Sequence, residues 1–230
     1  MLYKLKIINN KKTKKKLKKT KKMLDNGIMA QYGKLEYWDD RYSKRTEPFD
    51  WYQVYSGMKD IISPKIQKEN KILNIGCGNS RMSEEMYEDG YEDITNIDFS
   101  NKVISQMEER CKSKYPKMIF KIMDVCEMKN FENSSFNTVI DKGTLDSILC
   151  SDTPIPSSEK MLSEIYRILT PGGNYICISY GDSDHRKKYF QKQNWAQFTC
   201  EKIIKPATSN NPPDENDPKN YHFIYTMVKP

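Results

Sequence analysis

The sequence predicts an α/β fold: a mostly parallel, seven-stranded sheet with helices on both faces and an antiparallel hairpin at its C-terminal end. Three observations predict it. From about residue 70 short apolar runs alternate with segments of helical period, which implies parallel strands joined by right-handed crossovers. Turn and capping residues punctuate those segments. The last two apolar runs, 195–204 and 221–228, have no helical pattern between them and so read as a hairpin closing the sheet.

Taken in order, residues 36–52 come first and are dense in aromatics: Tyr37, Trp38, Tyr42, Phe49, Trp51 and Tyr52. They lead into an expected helix near 51–63. KILNI (71–75) reads as a buried strand. Ser80 is a candidate cap for a helix that puts Met82 and Met86 on one face and ends at Gly90. DITNI (93–97) is the second strand. Ser100 caps the next helix, whose inward face carries Val103, Ile104, Met107 and Cys111. MIFKIM (118–123) and FNTVID (136–141) are the third and fourth strands. Ser157 or Ser158 is expected to cap a helix burying Met161, Leu162, Ile165, Ile168 and Leu169, with Pro171-Gly172-Gly173 as its stop. NYICISY (174–180) is the fifth strand. The segment 206–220 carries Pro206, Pro212, Pro213 and Pro218 among Asn and Asp, the composition of a surface loop.

The chain has 230 residues and a formal net charge of +7. Eleven lysines and no acid fall in 1–24, so the remainder holds 27 basic against 31 acidic residues. The division is a Lys-rich, disordered tail at 1–24 and a single domain at 25–230. Such a tail suits RNA, ribosome or acidic-surface contact, or nuclear entry, and equally a merely solvated extension. The preference for Lys over Arg runs through the whole chain, which favours the solvated reading. No stretch approaches 18 apolar residues, so no spanning helix is expected, and the basic start reaches no apolar signal core. Six scattered cysteines without a CxxC, and only two histidines, argue against a disulfide scaffold or a metal site. A reducing, cytoplasmic setting is the expectation.

Ligands of an open α/β sheet bind at the carboxyl ends of the strands. Gly76-Cys77-Gly78-Asn79-Ser80 follows the first strand, where glycine lets a ligand approach the backbone. A tight turn alone would also use these glycines. Asp98 ends the second strand 22 residues after Gly76 and can accept from both hydroxyls of a ribose. These features fit a nicotinamide dinucleotide or S-adenosylmethionine. Arg81 stands where a dinucleotide fold places its third glycine, which favours S-adenosylmethionine. Met123-Asp124-Val125 can read an adenine edge. Asp141-Lys142-Gly143-Thr144-Leu145-Asp146 is a polar run at the expected lip of the site.

The order GCGNS, NIDFS, MDV, DKGTLD and LTPGG resembles the Rossmann-like class I S-adenosylmethionine-dependent methyltransferases. More narrowly it is similar to the methyltransferase-like group, including the endothelin-converting-enzyme-2-associated enzyme, that methylates lysines of translation elongation factor 1-alpha. GCGNS and DKGTLD are distinctive of that group; YWDDRY (37–42), FDW (49–51) and YHFIYTMVKP (221–230) also match it. The resemblance covers about 36–230 and stops before the tail; the 206–220 loop looks inserted.

The resemblance implies an enzyme that moves a methyl group from S-adenosyl-L-methionine to a protein lysine, leaving S-adenosyl-L-homocysteine. Trp38, Tyr42 and Trp51 would close over the methionine end, where aromatic faces attract a sulfonium; they would equally pack the N-terminal segment on the core. Gly76 and Gly78 would line the methionine and ribose, Asp98 would hold the ribose, and Phe99, Asp124 and Val125 would contact adenine. Lys142 would face the cofactor. Asn74 stands where many class I enzymes carry an acid. Asp141 and Asp146 are the carboxylates expected to orient the acceptor amine. The competing readings are a small-molecule or other protein N-methyltransferase, a nicotinamide oxidoreductase, and a non-catalytic module recruited to RNA or ribosomes by the tail.

Overall fold

The computed structural model describes residues 31–207 and 213–230. The Lys-rich run at 1–24, with its expected disorder, lies outside the described residues, as does the middle of the 206–220 loop. The described chain forms one seven-stranded sheet. Its strands are β1 (Ile72–Ile75), β2 (Ile94–Asp98), β3 (Ile119–Ile122), β4 (Phe136–Lys142), β5 (Leu169–Ser179), β6 (Gln197–Ile204) and β7 (Tyr221–Val228). Their order in space is β3-β2-β1-β4-β5-β7-β6. The first five positions pair in parallel, and β7 pairs antiparallel with both β5 and β6. The expected hairpin is therefore present, with its second strand inserted between β5 and its first. Strand order reverses between β1 and β4, so a crevice opens at their carboxyl ends.

Each strand feeds two layers because side chains alternate across it. On one face Ile72, Ile94, Ile140 and Ile176 meet α2 (Tyr55–Ile62), α3 (Met82–Glu88) and α4 (Asn101–Cys111), which contribute Met58, Ile62, Met82, Met86, Val103 and Met107. On the other face Leu73, Ile75, Ile97 and Val139 meet α6 (Pro154–Ile168) and α7 (Ser183–Phe190), through Met161, Leu162, Ile165, Ile168 and Phe190. Burial of each large aliphatic side chain stabilises by roughly 1.5–3 kcal/mol. The modest apolar content thus suffices, because it falls at these positions.

Three helices add to the expectation and two boundaries are corrected. The aromatic segment contains its own helix, α1 (Leu35–Lys44), before α2. A short helix, α5 (Thr144–Ile148), follows β4 directly, and α7 follows β5. Neither carries a long apolar period, so neither stood out in the sequence. Helix α6 begins at Pro154 rather than at Ser157 or Ser158. Prolines 154 and 156 fit the first turn, where the missing N–H has no partner to lose, and Ser158 instead donates to Ile155 O at 2.9 Å. The helix also ends before Pro171-Gly172-Gly173. Leu169 already pairs with Phe136, and Asn174 with Thr138, so the intervening residues bulge out of β5.

The bulge makes a paired prediction. A Cβ on Gly173 would lie 2.8 Å from Thr170 O and 2.9 Å from Asn137 O, backbone atoms that cannot swing away. One on Gly172, at φ +75°, meets nothing within 4 Å. Gly172→Ala should cost about 1 kcal/mol, the left-handed penalty alone. Gly173→Ala should cost at least twice that, read as a larger fall in thermal midpoint.

Candidate active site

The crevice is built first from the loop between β1 and α3. Gly76 and Gly78 adopt φ of +57° and +52°, open to glycine without strain. Close approach reinforces the requirement. A Cβ on Gly76 would lie 2.1 Å from Thr144 Oγ1, and one on Gly78 2.8 Å from the Tyr42 hydroxyl. Ser80 does not cap α3 as its N-cap residue, which is Arg81, but its hydroxyl accepts from Met82 N–H at 3.0 Å. Asn74, beneath the loop, is held by Ser83 Oγ at 2.9 Å and Asn96 Oδ1 at 3.1 Å.

Asp98 closes this floor from the end of β2. One carboxylate oxygen accepts from Gly78 N–H at 3.0 Å and the other from Ser100 N–H at 2.9 Å. The residue is 5% exposed. Burial pushes its carboxyl up to about 6, against the opposing pull of those N–H groups. Each oxygen keeps a lone pair for a further donor.

The roof is aromatic. Trp38 stacks on Tyr42 at 5.8 Å and meets Trp51 edge-on at 6.1 Å. Helix α1 is pinned by Ser100 Oγ donating to Asp39 at 2.6 Å and Gln106 donating to Tyr42 O at 3.0 Å. The Trp51 segment is pinned by Asp50, which accepts from Lys142 Nζ at 2.7 Å and from the Ser80 hydroxyl. Lys142 also donates to Trp51 O at 3.2 Å. It is thus a latch between β4 and the roof rather than a free cation facing the crevice. Burial lowers its pKa, and Asp50 counters that shift.

All ten residues expected to hold a cofactor line this one crevice: Trp38, Tyr42, Trp51, Gly76, Gly78, Asp98, Phe99, Asp124, Val125 and Lys142. Asp124 is exposed, beside buried Val125, and accepts from Cys126 N–H at 2.8 Å. A second cavity adjoins the first. Both are lined by Tyr32, Trp38, Trp51, Gly143 and Ser147; Tyr52, Asp146, Cys150 and Tyr180 line only the second.

The two expected catalytic carboxylates separate here. Asp141 is 0% exposed and lines neither cavity. Its oxygens accept from Thr144 N–H at 2.7 Å, Leu145 N–H at 3.2 Å and the Tyr175 hydroxyl at 2.8 Å. Burial raises its carboxyl to about 6. The expectation that it reaches the lip is therefore corrected: it points inward and caps α5. Asp146 does line the second cavity, but its oxygens are engaged by Tyr52, Ser179, Tyr180 N–H and Arg186. Sequence reasoning missed Tyr32, Asp50, Tyr52 and Tyr180 as site residues. Tyr180 directly follows β5 and Tyr52 adjoins Trp51, so the rule placing ligands at strand carboxyl ends could have found Tyr180.

Comparison with known proteins bears on the family and the fold. Residues 66–223 match a family model described as a methyltransferase domain. The chain is 35% identical over 210 residues to the cattle (Bos taurus) eEF1A lysine and N-terminal methyltransferase, covering 87% of this chain and 29% of that protein. It is 30% identical to mouse (Mus musculus) EEF1A lysine methyltransferase 4, covering 72% of this chain and 68% of that one. The chain therefore spans less than a third of the length of the first of these relatives. A solved SAM-dependent methyltransferase from Methanosarcina mazei superposes with a TM-score of 0.55 at 19% identity, over 79% of this chain and 99% of that one.

Asp141→Ala would strand a buried N–H, a part-buried N–H and a buried phenol, each costing up to about 1–3 kcal/mol. We expect a loss of about 3 kcal/mol and a thermal midpoint lower by roughly 10 °C. An unchanged midpoint would restore Asp141 to a purely chemical role.

Proposed function

The chain belongs to the class I S-adenosylmethionine-dependent methyltransferase family, and on that premise we propose that it methylates a lysine side chain of a protein, translation elongation factor 1-alpha. The observation that carries the reading is the junction of two cavities of different chemistry. The first offers what a nucleoside with a charged sulfur needs: a carboxylate for ribose at Asp98, a flat apolar slot at Phe99 and Val125, an acceptor at Asp124, and an aromatic roof. The second offers aromatic walls suited to an alkyl chain ending in an amine. The named relatives support the substrate.

These residues fit S-adenosylmethionine, which supplies an activated methyl group when bound. Asp98 would accept the ribose hydroxyls. Gly76 and Gly78 would let the methionine portion lie against the backbone. Trp38, Tyr42 and Trp51 would face the sulfonium, with Lys142 and Asp50 holding that roof in place. The protein's remaining task is position and desolvation. A lysine amine has an ordinary pKa near 10.4, so desolvation between the aromatic walls favours its neutral, nucleophilic form. The tail at 1–24 would add only salt-sensitive contact with RNA or ribosomes, in a cytoplasmic setting.

The test is mass spectrometry of elongation factor 1-alpha after incubation with the protein and S-adenosylmethionine. A 14 Da increment, or its multiples, on one lysine is expected. Label on a small molecule instead would favour the small-molecule alternative. No transfer and no cofactor binding would favour the non-catalytic one.

The pH dependence of cofactor binding follows from Asp98. Its carboxyl sits near 6 in the free protein, above an unfolded value of about 3.9, so ionised Asp98 costs the fold stability as pH rises through that window. Ribose hydroxyls want the ionised form. Calorimetry should therefore find S-adenosylhomocysteine bound about tenfold more weakly at pH 5 than at pH 7. Equal affinity at the two pH values would remove Asp98 from the ribose.

A further inference from the structure

Tyr52 is held with unusual care for a residue no motif singles out. Its backbone adopts φ +64°, a left-handed conformation that costs a non-glycine residue about 1–3 kcal/mol and clusters at functional sites. Gly143 makes room for its ring; a Cβ there would lie 3.1 Å from Tyr52 Cε2. His222 of β7 backs the ring at 4.9 Å between centroids. Gln53 braces that histidine at 3.3 Å and donates to Ile204 O at 2.7 Å, tying the segment to the hairpin. Burial lowers the His222 pKa to about 4, so the ring behind Tyr52 is neutral at physiological pH.

The hydroxyl is equally constrained. It donates to Asp146 Oδ2 at 2.8 Å. That same oxygen accepts from Tyr180 N–H at 3.0 Å. Asp146 Oδ1 accepts from Ser179 Oγ at 2.6 Å and from Arg186 Nε at 3.0 Å and Nη2 at 2.8 Å. Asp146 is therefore crowded with donors and charge-paired, and is a poor partner for an incoming amine. Burial first, and the Asp146 charge second, keep the Tyr52 phenol far above the ordinary tyrosine pKa, so it remains protonated. With its proton committed to Asp146, the phenolic oxygen can only accept from the cavity. Three other hydroxyl-bearing residues line this cavity: Ser147 donates to Tyr32 O at 2.6 Å, Tyr180 is 58% exposed, and neither they nor Tyr32 sits on the Asp146–Arg186 pair through its hydroxyl as Tyr52 does.

We propose that the second cavity is the acceptor site for a lysine side chain, and that the Tyr52 hydroxyl orients its amine by accepting an N–H hydrogen bond, with Asp146 and Arg186 as the positioning pair behind it. The assignment rests on the methyltransferase reading and moves the amine contact from the two aspartates to a tyrosine. The lysine ammonium first gives a proton to water. The neutral nitrogen then uses its lone pair to form an N–C bond to the methyl carbon, the C–S bond breaks, and its electron pair stays on sulfur. The product is a methylammonium and a neutral thioether, with one proton released overall. The hydrogen bond to Tyr52 fixes one N–H, which aims the lone pair; the ring faces then meet the cationic product.

The test compares the full chain with Tyr52→Phe, using tritiated S-adenosylmethionine and elongation factor 1-alpha. If the unaltered chain does not label that protein, a whole-cell protein extract replaces it and methyl-lysine is counted after hydrolysis. We expect kcat to fall about 100-fold, with the acceptor KM and the Kd for S-adenosylhomocysteine each within threefold. If Tyr52→Phe lowers the thermal midpoint, 3-fluorotyrosine at position 52 nearly keeps the shape and the O–H donation to Asp146 while weakening the oxygen as acceptor; a several-fold loss of kcat is then expected. Transfer by both variants within threefold of the unaltered chain overturns the Tyr52 assignment and leaves the methyltransferase reading intact. No transfer by the unaltered chain to any protein overturns both.

Discussion

The site depends on Asp98. A carboxylate at 5% exposure is costly unless its lone pairs are used, and here they are used to join the two halves of the crevice floor. Through Gly78 N–H it fixes the loop after β1. Through Ser100 N–H it fixes the start of α4, whose cap hydroxyl in turn holds Asp39 and so helix α1. The floor and the aromatic roof are thus connected through one charged group. That group is also the one best placed to meet a ribose, so occupation of the crevice adds donors where the fold has left spare lone pairs.

A second chain of contacts orders the far side. Lys142 and Ser80 grip Asp50 and bring down the Trp51 segment; Tyr52 follows, with Asp146 and Arg186 beneath it. Arg186 comes from α7 and Asp146 from α5, the two helices without a strong apolar period. Both residues are nearly buried. Removing either partner would leave a buried charge, a loss of about 3–5 kcal/mol. The pair thus ties together two helices whose packing rests on Leu145 and Phe190.

This division explains what the sequence disclosed. Strands such as KILNI and NYICISY declare themselves because both faces are buried, leaving near-continuous apolar runs. The residues that line the first cavity were legible because glycine at positive φ and an acid at a strand end each follow from a general physical demand. Asp141 misled because an acid at a strand end can equally cap the next helix; only the neighbouring N–H groups and Tyr175 decide which. Tyr52 was illegible for the opposite reason. Its significance lies in a backbone angle, in the absent side chain of Gly143, and in a histidine 170 residues away. None of these leaves a local pattern.

The most direct measurement is a crystal structure of the protein with S-adenosylhomocysteine. The account predicts both ribose hydroxyls on Asp98, adenine between Phe99 and Val125, and the sulfur beneath Trp38 and Trp51, facing the second cavity. A nucleoside bound elsewhere, or a sulfur turned away from the cavity that Tyr52 lines, would contradict it.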